Sequence, residues 1–314
     1  MSRLRPIVPP SSSTSRILAL SIGSRVLSSP PLLIIAAMLV WIATEIAGGL
    51  AFRKTPIPQI VWMRYFFHIV LMGIVFGGPS KFSFVRTSRP WLQLFRSLLM
   101  LVMPLSYGLA VQTARTQSVF GVFWVAPFLV IIMSALAGER VPRFAWVAGG
   151  IAWLGALIVY TPPVLLMSSA VIPAVVMALS FSLYVVLTRV LDRTEPLLTN
   201  LFYSAVGVFV PLSIALPWYW TPIGVREVAG SIAVAACGWM GLCLLELAIR
   251  RELPSRLAPF LFTAVIVDVA ARMLDRDVVP GPHIFLGVVF IAAAAAVTFI
   301  LVRRTPQPAA HAVT

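Results

Sequence analysis

Seven ionisable side chains lie within long apolar stretches of this 314-residue sequence, where charge is least expected. They are Glu45, Arg64, His68, Arg96, Glu246, Asp268 and Arg272. Near the centre of a bilayer each charged side chain costs about 2.5–3.5 kcal/mol on insertion scales, so such residues point inward and are paired or hydrated. The chemistry open to them is recognition of a polar solute and the uptake or release of a proton.

Glu45 and Arg64 lie near the same end of two consecutive apolar stretches. At 1.5 Å per helical residue they lie about 10 Å and about 6 Å from that end, so an ion pair between them is reachable. His68 lies one turn deeper than Arg64, and Trp41 lies one turn from Glu45 as an aromatic wall beside the carboxylate. We expect these side chains to line a central cavity. The alternative is that Glu45 and Arg64 only hold two helices together.

Asp268 is the deepest of these acids and, with Glu45, one of two predicted proton-coupling residues. Four residues separate it from Arg272, so an intrahelical ion pair is the alternative interpretation. Arg96 and Glu246 lie near the ends of their apolar stretches, and we expect their long side chains to reach water from there.

Aromatic residues within the apolar stretches complete the candidate site, although ordinary packing of the helices would also account for them. The predicted substrate-binding residues are Trp41, Glu45, Arg64, His68, Trp124 and Tyr184. Two cysteines and three scattered histidines form no metal-type cluster in the sequence, so neither a metal nor a cofactor is predicted.

The composition predicts that most of the protein surface faces lipid. Hydrophobic residues make up 60% of the chain and charged residues only 11%, against about 25% charged in a soluble domain. The mean hydropathy is +0.98. The net charge of +14 is spread over short connections without an aromatic-basic patch, which predicts anionic lipid headgroups as its partners and no nucleic acid.

The apolar stretches predict an all-α integral membrane protein with ten transmembrane helices, since most approach the ~20 residues needed to cross a bilayer. The predicted spans are 31–52, 60–78, 92–112, 118–137, 145–161, 169–189, 199–217, 228–249, 257–274 and 283–302.

Lys and Arg are distributed unevenly between alternating connections: one side holds 16 of the 24 and the other holds 6. The positive-inside rule predicts that the richer side, which includes both termini, is cytoplasmic. We therefore expect a multi-pass protein of the cell membrane, which in a bacterium is the inner membrane. Residues 1–30 and 305–314 are predicted to be cytoplasmic tails, the first disordered, with an organellar transit peptide as its alternative.

A weak internal repeat appears when the sequence is aligned with itself so that Gly138 matches Arg276; we call this displacement the repeat shift. The run Gly138–Pro142 leads to Gly149, and the run Arg276–Pro280 leads to Gly287. Each run precedes the last helix of a set of five, and five is odd, so the second set enters the membrane from the opposite side. This predicts two inverted five-helix repeats, an architecture of many secondary transporters. The predicted repeats span residues 31–162 and 169–304.

The stretch Arg96–Pro162 resembles the third to fifth helices of the EamA-type members of the drug/metabolite transporter superfamily. It contains LFRSLLMLVMPLSYGLAV, FWVAPFLVIIMSALAGERV and AGGIAWLGALIVYTP, with Pro127 in the fourth helix. Trp62–Phe66 looks like the arginine-bearing start of the second helix. Leu257–Thr263 and the following Asp277 resemble the ninth helix and its turn.

This resemblance implies transport of small organic solutes by alternating access, often as export, with proton coupling or exchange. The partners it implies are a small-molecule substrate and the lipid bilayer, with a homodimer as a further expectation. The sequence contains no G-x-x-x-x-G-K-S/T nucleotide loop, so the energy is expected from a gradient or a partner. The alternatives are an intramembrane enzyme, for which the sequence has no Gly-x-Ser-x-Gly or His-Glu-x-x-His motif, and a non-transporting membrane scaffold.

Overall fold

The computed structural model describes residues 29–52, 55–80, 82–160, 169–276 and 281–305, with the backbone alone at 79–80 and 274–276. The regular structure within these ranges is entirely helical. The α-helices are α1 (Pro30–Ala51), α2 (Ile57–Ser80), α3 (Pro90–Ala110), α4 (Thr116–Phe123), α5 (Ala126–Leu136), α6 (Arg143–Tyr160), α7 (Val171–Leu191), α8 (Leu197–Ala215), α9 (Val225–Arg251), α10 (Pro254–Leu261), α11 (Thr263–Arg276) and α12 (Pro282–Arg304).

Ten segments of the described chain are long and apolar enough to cross a membrane, which confirms the ten predicted spans. The ends of these segments lie within three residues of the predicted ends. Proline sets several of the starts, because its fixed φ suits the first turn of a helix and its missing N–H has no helical partner there. The four helices that begin with proline are α1, α3, α10 and α12.

The fourth and ninth spans are each broken into two helices, which the sequence analysis did not predict. α4 and α5 are separated at Trp124 and Val125, since Pro127 has no N–H to bond the carbonyl of Phe123. α10 and α11 are separated at Phe262, where the hydroxyl of Thr263 donates to the carbonyl of Phe260 at 2.6 Å and competes with the helical bond.

The helix bounds recur along the chain under the same repeat shift that relates the two sequence runs. The shift moves Thr116 onto Pro254 and Phe123 onto Leu261, so both bounds of α4 coincide with those of α10. α1 packs most extensively against α9, and α7 against α3, so the partner helices exchange between the halves under this shift. Residues 277–280 of the second sequence run lie outside the described residues, as do the predicted tails apart from residues 29, 30 and 305.

Ten crossings bring both ends of the described chain to one face of the bundle. We call this the terminal face; it carries the connecting residues 82–89, 137–142, 192–196 and 252–253. The distal face carries the connections at 111–115 and 216–224, together with the helix ends at Ala51, Ile57, Tyr160, Val171, Arg276 and Pro282.

α6 and α12 approach each other closely at two glycines. A Cβ atom added to Gly155 would lie 2.7 Å from the carbonyl oxygen of Gly287 and 2.9 Å from a side-chain carbon of Ile291. Glycine lets two helix backbones come into direct contact, as is common where helices pack within a membrane.

Gly155→Ala is therefore expected to destabilise the bundle by about 1–3 kcal/mol, because the new methyl group collides with backbone. Gly150→Ala on the same helix is the matched control, since a Cβ there meets nothing within 4 Å. The measurement is the thermal unfolding midpoint of each purified variant in detergent. Equal midpoints for the two variants would contradict the close packing of α6 against α12.

Candidate substrate-binding cavity

The bundle encloses a cavity with two connected parts. An outer vestibule of about 750 Å³ is lined by residues at helix ends near the distal face, among them Phe52, Ile57 and Arg272. An inner chamber of about 120 Å³ lies deeper and is lined by α1, α2, α3, α4, α7 and α9. The residues common to both parts are Trp41, Thr44, Glu45, Arg64, Pro104, Tyr107 and Phe120. The cavity therefore opens at the distal face.

Glu45 forms an acidic pole where the vestibule meets the chamber. Its side chain is exposed to the cavity, and the indole Nε1 of Trp41, one turn earlier on α1, donates to its Oε1 at 3.3 Å. The Trp41 ring packs against the rings of Phe181 and Phe123, with centroids 5.5 and 6.0 Å apart. The structure thus brings Trp41 and Glu45 together as an aromatic wall beside a carboxylate.

Arg64 lies on α2 and lines both parts of the cavity. The ion pair with Glu45 that the sequence made reachable is not formed: the contacts of the described residues include no hydrogen bond or salt bridge between the two. The cavity therefore has a separate positive pole.

The rest of the inner chamber is mostly apolar and rich in polarisable side chains. Four methionines line it together with Phe181 and Tyr184; they are Met38, Met100, Met103 and Met177. Unbranched thioether side chains adapt their shape to a ligand and make favourable contacts with aromatic rings. The chamber can thus enclose an aromatic or sulfur-bearing body beside the polar groups of Glu45 and Arg64.

Asp268 lines the vestibule but not the inner chamber, and its Oδ2 atom has two partners there. Arg272 contacts its Oδ2 at 2.5 Å one turn later on α11, and the Tyr160 hydroxyl donates to the same oxygen at 2.5 Å. The intrahelical ion pair that the spacing allowed is present. Glu45, in contrast to Asp268, reaches the inner chamber, and Glu246 is fully buried.

The remaining predicted site residues occupy different places. Trp124, at the break between α4 and α5, lines the vestibule, and its ring lies 6.4 Å from that of Phe262, at the equivalent break in the second half. Tyr184 lines the inner chamber. His68 does not line the cavity; it is buried and stacks with Tyr65 at 6.0 Å, because the α2 wall of the cavity ends one turn earlier, at Arg64.

Between the inner chamber and the terminal face lies a buried ion pair. The Arg96 guanidinium on α3 contacts Oε1 of Glu246 on α9 at 2.9 Å, and both side chains are 0% exposed. Arg96 also donates to the hydroxyl groups of Thr188 and Ser204 at 2.9 and 2.8 Å and to the carbonyl of Asn200 at 2.5 Å. The expectation that Arg96 and Glu246 reach water by extending their side chains is wrong, since each finds its partner inside the bundle.

More polar contacts continue from this pair to the terminal face. The Gln93 amide donates to the Asn200 side-chain oxygen at 2.7 Å, and Asn200 donates to Oδ1 of Asp192 at 2.8 Å. Arg250 contacts the same Asp192 oxygen at 2.8 Å and donates to the backbone carbonyl of Glu195. We call this set the terminal-face network; its members are Gln93, Arg96, Thr188, Asp192, Asn200, Ser204, Glu246 and Arg250.

Sequence reasoning missed the terminal-face network because its ion pair joins residues 150 positions apart. A signal was present in the spacing of polar residues. Asn200 and Ser204 are four residues apart on α8, as are Tyr184 and Thr188 on α7, so each pair lies on one helix face.

Tyr184 joins the inner chamber to the terminal-face network. Its hydroxyl donates to Oε1 of Glu246 at 3.2 Å and lies 3.4 Å from the Ser204 hydroxyl. The guanidinium carbon of Arg96 lies 4.9 Å from the centroid of its ring, a cation–π contact. The floor of the cavity is thus in direct contact with the groups that close the terminal face.

No model of a known protein family matches this sequence. The chain is similar to proteins named S-adenosylmethionine uptake transporter from Rickettsia species. It is 23% identical over 240 residues to the Rickettsia bellii protein, covering 75% of this chain and 81% of the relative. It is 25% identical over 240 residues to the Rickettsia felis protein, covering 75% of this chain and 80% of the relative.

A solved crystal structure of a protein matches the fold with a TM-score of 0.75 at 17% sequence identity. The match covers 88% of this chain and 99% of that chain. Together with the ten spans, the similar proteins indicate a multi-pass membrane transporter with a small-molecule substrate. Their names describe transporters rather than enzymes, in agreement with the prediction that this chain is not an enzyme.

Asp192 gives the terminal face a titratable group near neutral pH. Burial and the negative charge of Glu246 raise its pKa from 3.8 to about 7, against the opposing effect of Arg250. A raised carboxyl pKa means that the folded protein binds this proton more tightly than the unfolded chain does. The stabilisation is fully present below the unfolded pKa and is lost as the pH rises through about 7.

The protein is therefore expected to unfold at a higher temperature at about pH 5 than at about pH 8, and Asp192→Asn should reduce that difference. The measurement is the thermal midpoint in detergent across this range. Glu227→Gln is the control, because Glu227 lies at the distal face. Its side chain caps α9 by accepting a hydrogen bond from the N–H of Gly224, and the side-chain oxygen of a glutamine can accept the same bond. An undiminished difference in the Asp192 variant would contradict the assignment.

Proposed function

We propose that this chain is an EamA-type secondary transporter of the drug/metabolite transporter superfamily, and that it carries S-adenosylmethionine into the cell. The resemblance of Arg96–Pro162 to that family supports the first part. The names of the Rickettsia relatives support the second. The observation that carries the proposal is a cavity open at one face only, in which a carboxylate and aromatic rings converge.

The chemistry of S-adenosylmethionine fits this cavity. Its sulfonium sulfur bears a fixed positive charge, and its adenine is a flat aromatic ring. A sulfonium group is attracted to aromatic faces and to a carboxylate, as quaternary ammonium ligands are in aromatic cages. On one side of the chamber Glu45 provides the carboxylate, and Trp41 and Phe181 provide the aromatic rings. The methionine side chains form an apolar surface on which the adenine can pack.

The difference between the two faces supports a mechanism of alternating access. The vestibule admits water and solute from the distal face, and the terminal-face network closes the other side. The recurrence of the helix bounds and of the mid-span breaks under the repeat shift supports two inverted repeats, residues 31–162 and 169–304. Rocking of one repeat against the other would break the terminal-face network and open the chamber there.

The distribution of charge supports the proposed orientation, and the names of the relatives support the proposed direction. The excess of Lys and Arg on the terminal face supports its placement in the cytoplasm of a bacterium, with the vestibule outside. The family resemblance favoured export, but the relatives are named for uptake, and we propose uptake or exchange inward.

Glu45 and Asp268 are the proposed sites for a coupled proton.

The proposal predicts that the full chain alone, reconstituted in liposomes, takes up radiolabelled S-adenosylmethionine in a saturable manner. Glu45→Gln is expected to raise KM about tenfold or more, because the sulfonium loses its counter-charge while the side-chain shape is kept. Glu227→Gln, outside the cavity, is the matched control and should transport like the parent. An absence of uptake by the parent chain would contradict the proposed substrate and favour a scaffold role.

The same assay with an imposed pH gradient tests the proton roles. If uptake responds to the gradient in the parent chain, at least one of Glu45→Gln and Asp268→Asn should abolish the response. Gradient-driven uptake that survives both substitutions would show that these acids do not carry the proton.

A further inference from the structure

The cavity contains a positively charged group that forms no ion pair or hydrogen bond with the described residues. Arg64 lines both the vestibule and the inner chamber, and no hydrogen bond or salt bridge joins it to any of the described residues. Arg96, Arg250, Arg256 and Arg272 in contrast each pair with a carboxylate. A guanidinium taken partly out of water without a hydrogen-bonded carboxylate is costly, and Glu45 in the same cavity does not contact it, so its retention here points to a partner supplied by the solute.

The position of Arg64 is built by close packing between α2 and α9. A Cβ atom added to Gly238 on α9 would lie 2.6–2.9 Å from three atoms of the guanidinium group. The absence of a side chain at this position lets the guanidinium lie directly against the helix, and a methyl group there would displace it. The guanidinium carbon also lies 5.5 Å from the centroid of the Tyr65 ring. The guanidinium of Arg64 thus lies in a slot that Gly238 leaves against α9, beside the inner chamber.

Two poles of opposite charge then face one chamber without contacting each other. Glu45 stands on α1 with its carboxylate held by Trp41, and Arg64 stands on α2 in the slot formed by Gly238. Between them the walls are aromatic and thioether groups. Such a cavity is complementary to a dipolar solute with a cationic and an anionic group on an apolar body.

We infer that Arg64 binds the carboxylate of an α-amino-acid moiety in the substrate and so selects carboxylate-bearing solutes over their decarboxylated analogues. The guanidinium fork matches a carboxylate with two parallel hydrogen bonds, which a lysine ammonium cannot reproduce. Glu45 takes the cationic centre at the other pole. The inference rests on the proposed function, because S-adenosylmethionine carries both groups.

The test is equilibrium binding to the purified full-length protein in detergent, with radiolabelled S-adenosylmethionine as the probe. Decarboxylated S-adenosylmethionine keeps the sulfonium charge and adenine but lacks the carboxylate, so it reports the loss of this one contact. The parent protein is expected to bind it roughly 10- to 100-fold more weakly than S-adenosylmethionine, the range for a charged hydrogen-bonded pair.

Arg64→Gln should weaken binding of S-adenosylmethionine by that factor and leave binding of the decarboxylated analogue nearly unchanged, so the two affinities converge. Gly238→Ala provides a second variant that keeps the arginine but pushes it from its slot, and it should reduce the same discrimination. Gly73→Ala on α2 is the control, because a Cβ there meets nothing within 4 Å. Arg64→Lys should restore the charge but only part of the selectivity.

Each outcome separates the inference from the proposed function. Failure of the parent protein to bind S-adenosylmethionine would overturn both. Binding by the parent with equal losses for the two ligands in Arg64→Gln, or no loss for either, would overturn the carboxylate role of Arg64 alone. Selective loss for the carboxylate-bearing ligand in both Arg64→Gln and Gly238→Ala supports it.

Discussion

The cost of charge inside a hydrocarbon layer governs this structure. An arginine and a glutamate, Arg96 and Glu246, lie fully buried within spans whose outer surfaces are apolar. Arg96 is tolerated there because its guanidinium donates hydrogen bonds to a carboxylate, two hydroxyls and a carbonyl. Removing one partner of such a pair leaves an uncompensated buried charge and typically costs about 3–5 kcal/mol. The pair therefore ties α3 of the first half to α7, α8 and α9 of the second near the terminal face.

The same ion pair makes the two faces of the bundle different. Under the repeat shift, Arg96 corresponds to Val234 and Glu246 to Gly108, neither of which can form an ion pair. Val234 lines the vestibule, and Gly108 lies against the side chain of Ile57. The terminal face is thus held by a buried ion pair between the halves, and the equivalent positions near the distal face can form none. Two halves of similar helix layout consequently leave the cavity open at the distal face.

Much of the fold could be predicted because it depends on length and local spacing. The ten spans follow from the apolar stretches, and the contacts Trp41–Glu45 and Asp268–Arg272 follow from a separation of four residues on a helix. The Arg96–Glu246 pair could not be derived this way, because depth along a helix does not give the rotation about its axis. His68 illustrates the same limit: it shares a helix face with Arg64 yet lies beyond the end of the cavity.

The helix breaks show a further limit of sequence reasoning. Pro127 marks the break in the fourth span, but the break in the ninth span lies after Pro259, at a threonine whose hydroxyl bonds a backbone carbonyl. Hydrophobic pattern alone treats both spans as continuous. The breaks place Trp124 in contact with Phe262, its equivalent under the repeat shift, and this contact joins the two halves beside the vestibule.

One-sided access to the cavity should depend on the intact Arg96–Glu246 pair. Cys237 lines the inner chamber and Cys243 is buried, so Cys243→Ala leaves one native thiol as a probe. In sealed vesicles of each orientation, a membrane-impermeant thiol reagent is expected to modify Cys237 from the distal face only. Adding Glu246→Gln should allow modification from the terminal face as well. Equal modification from both faces with the ion pair intact would contradict this dependence, as would unchanged one-sided modification after the pair is broken.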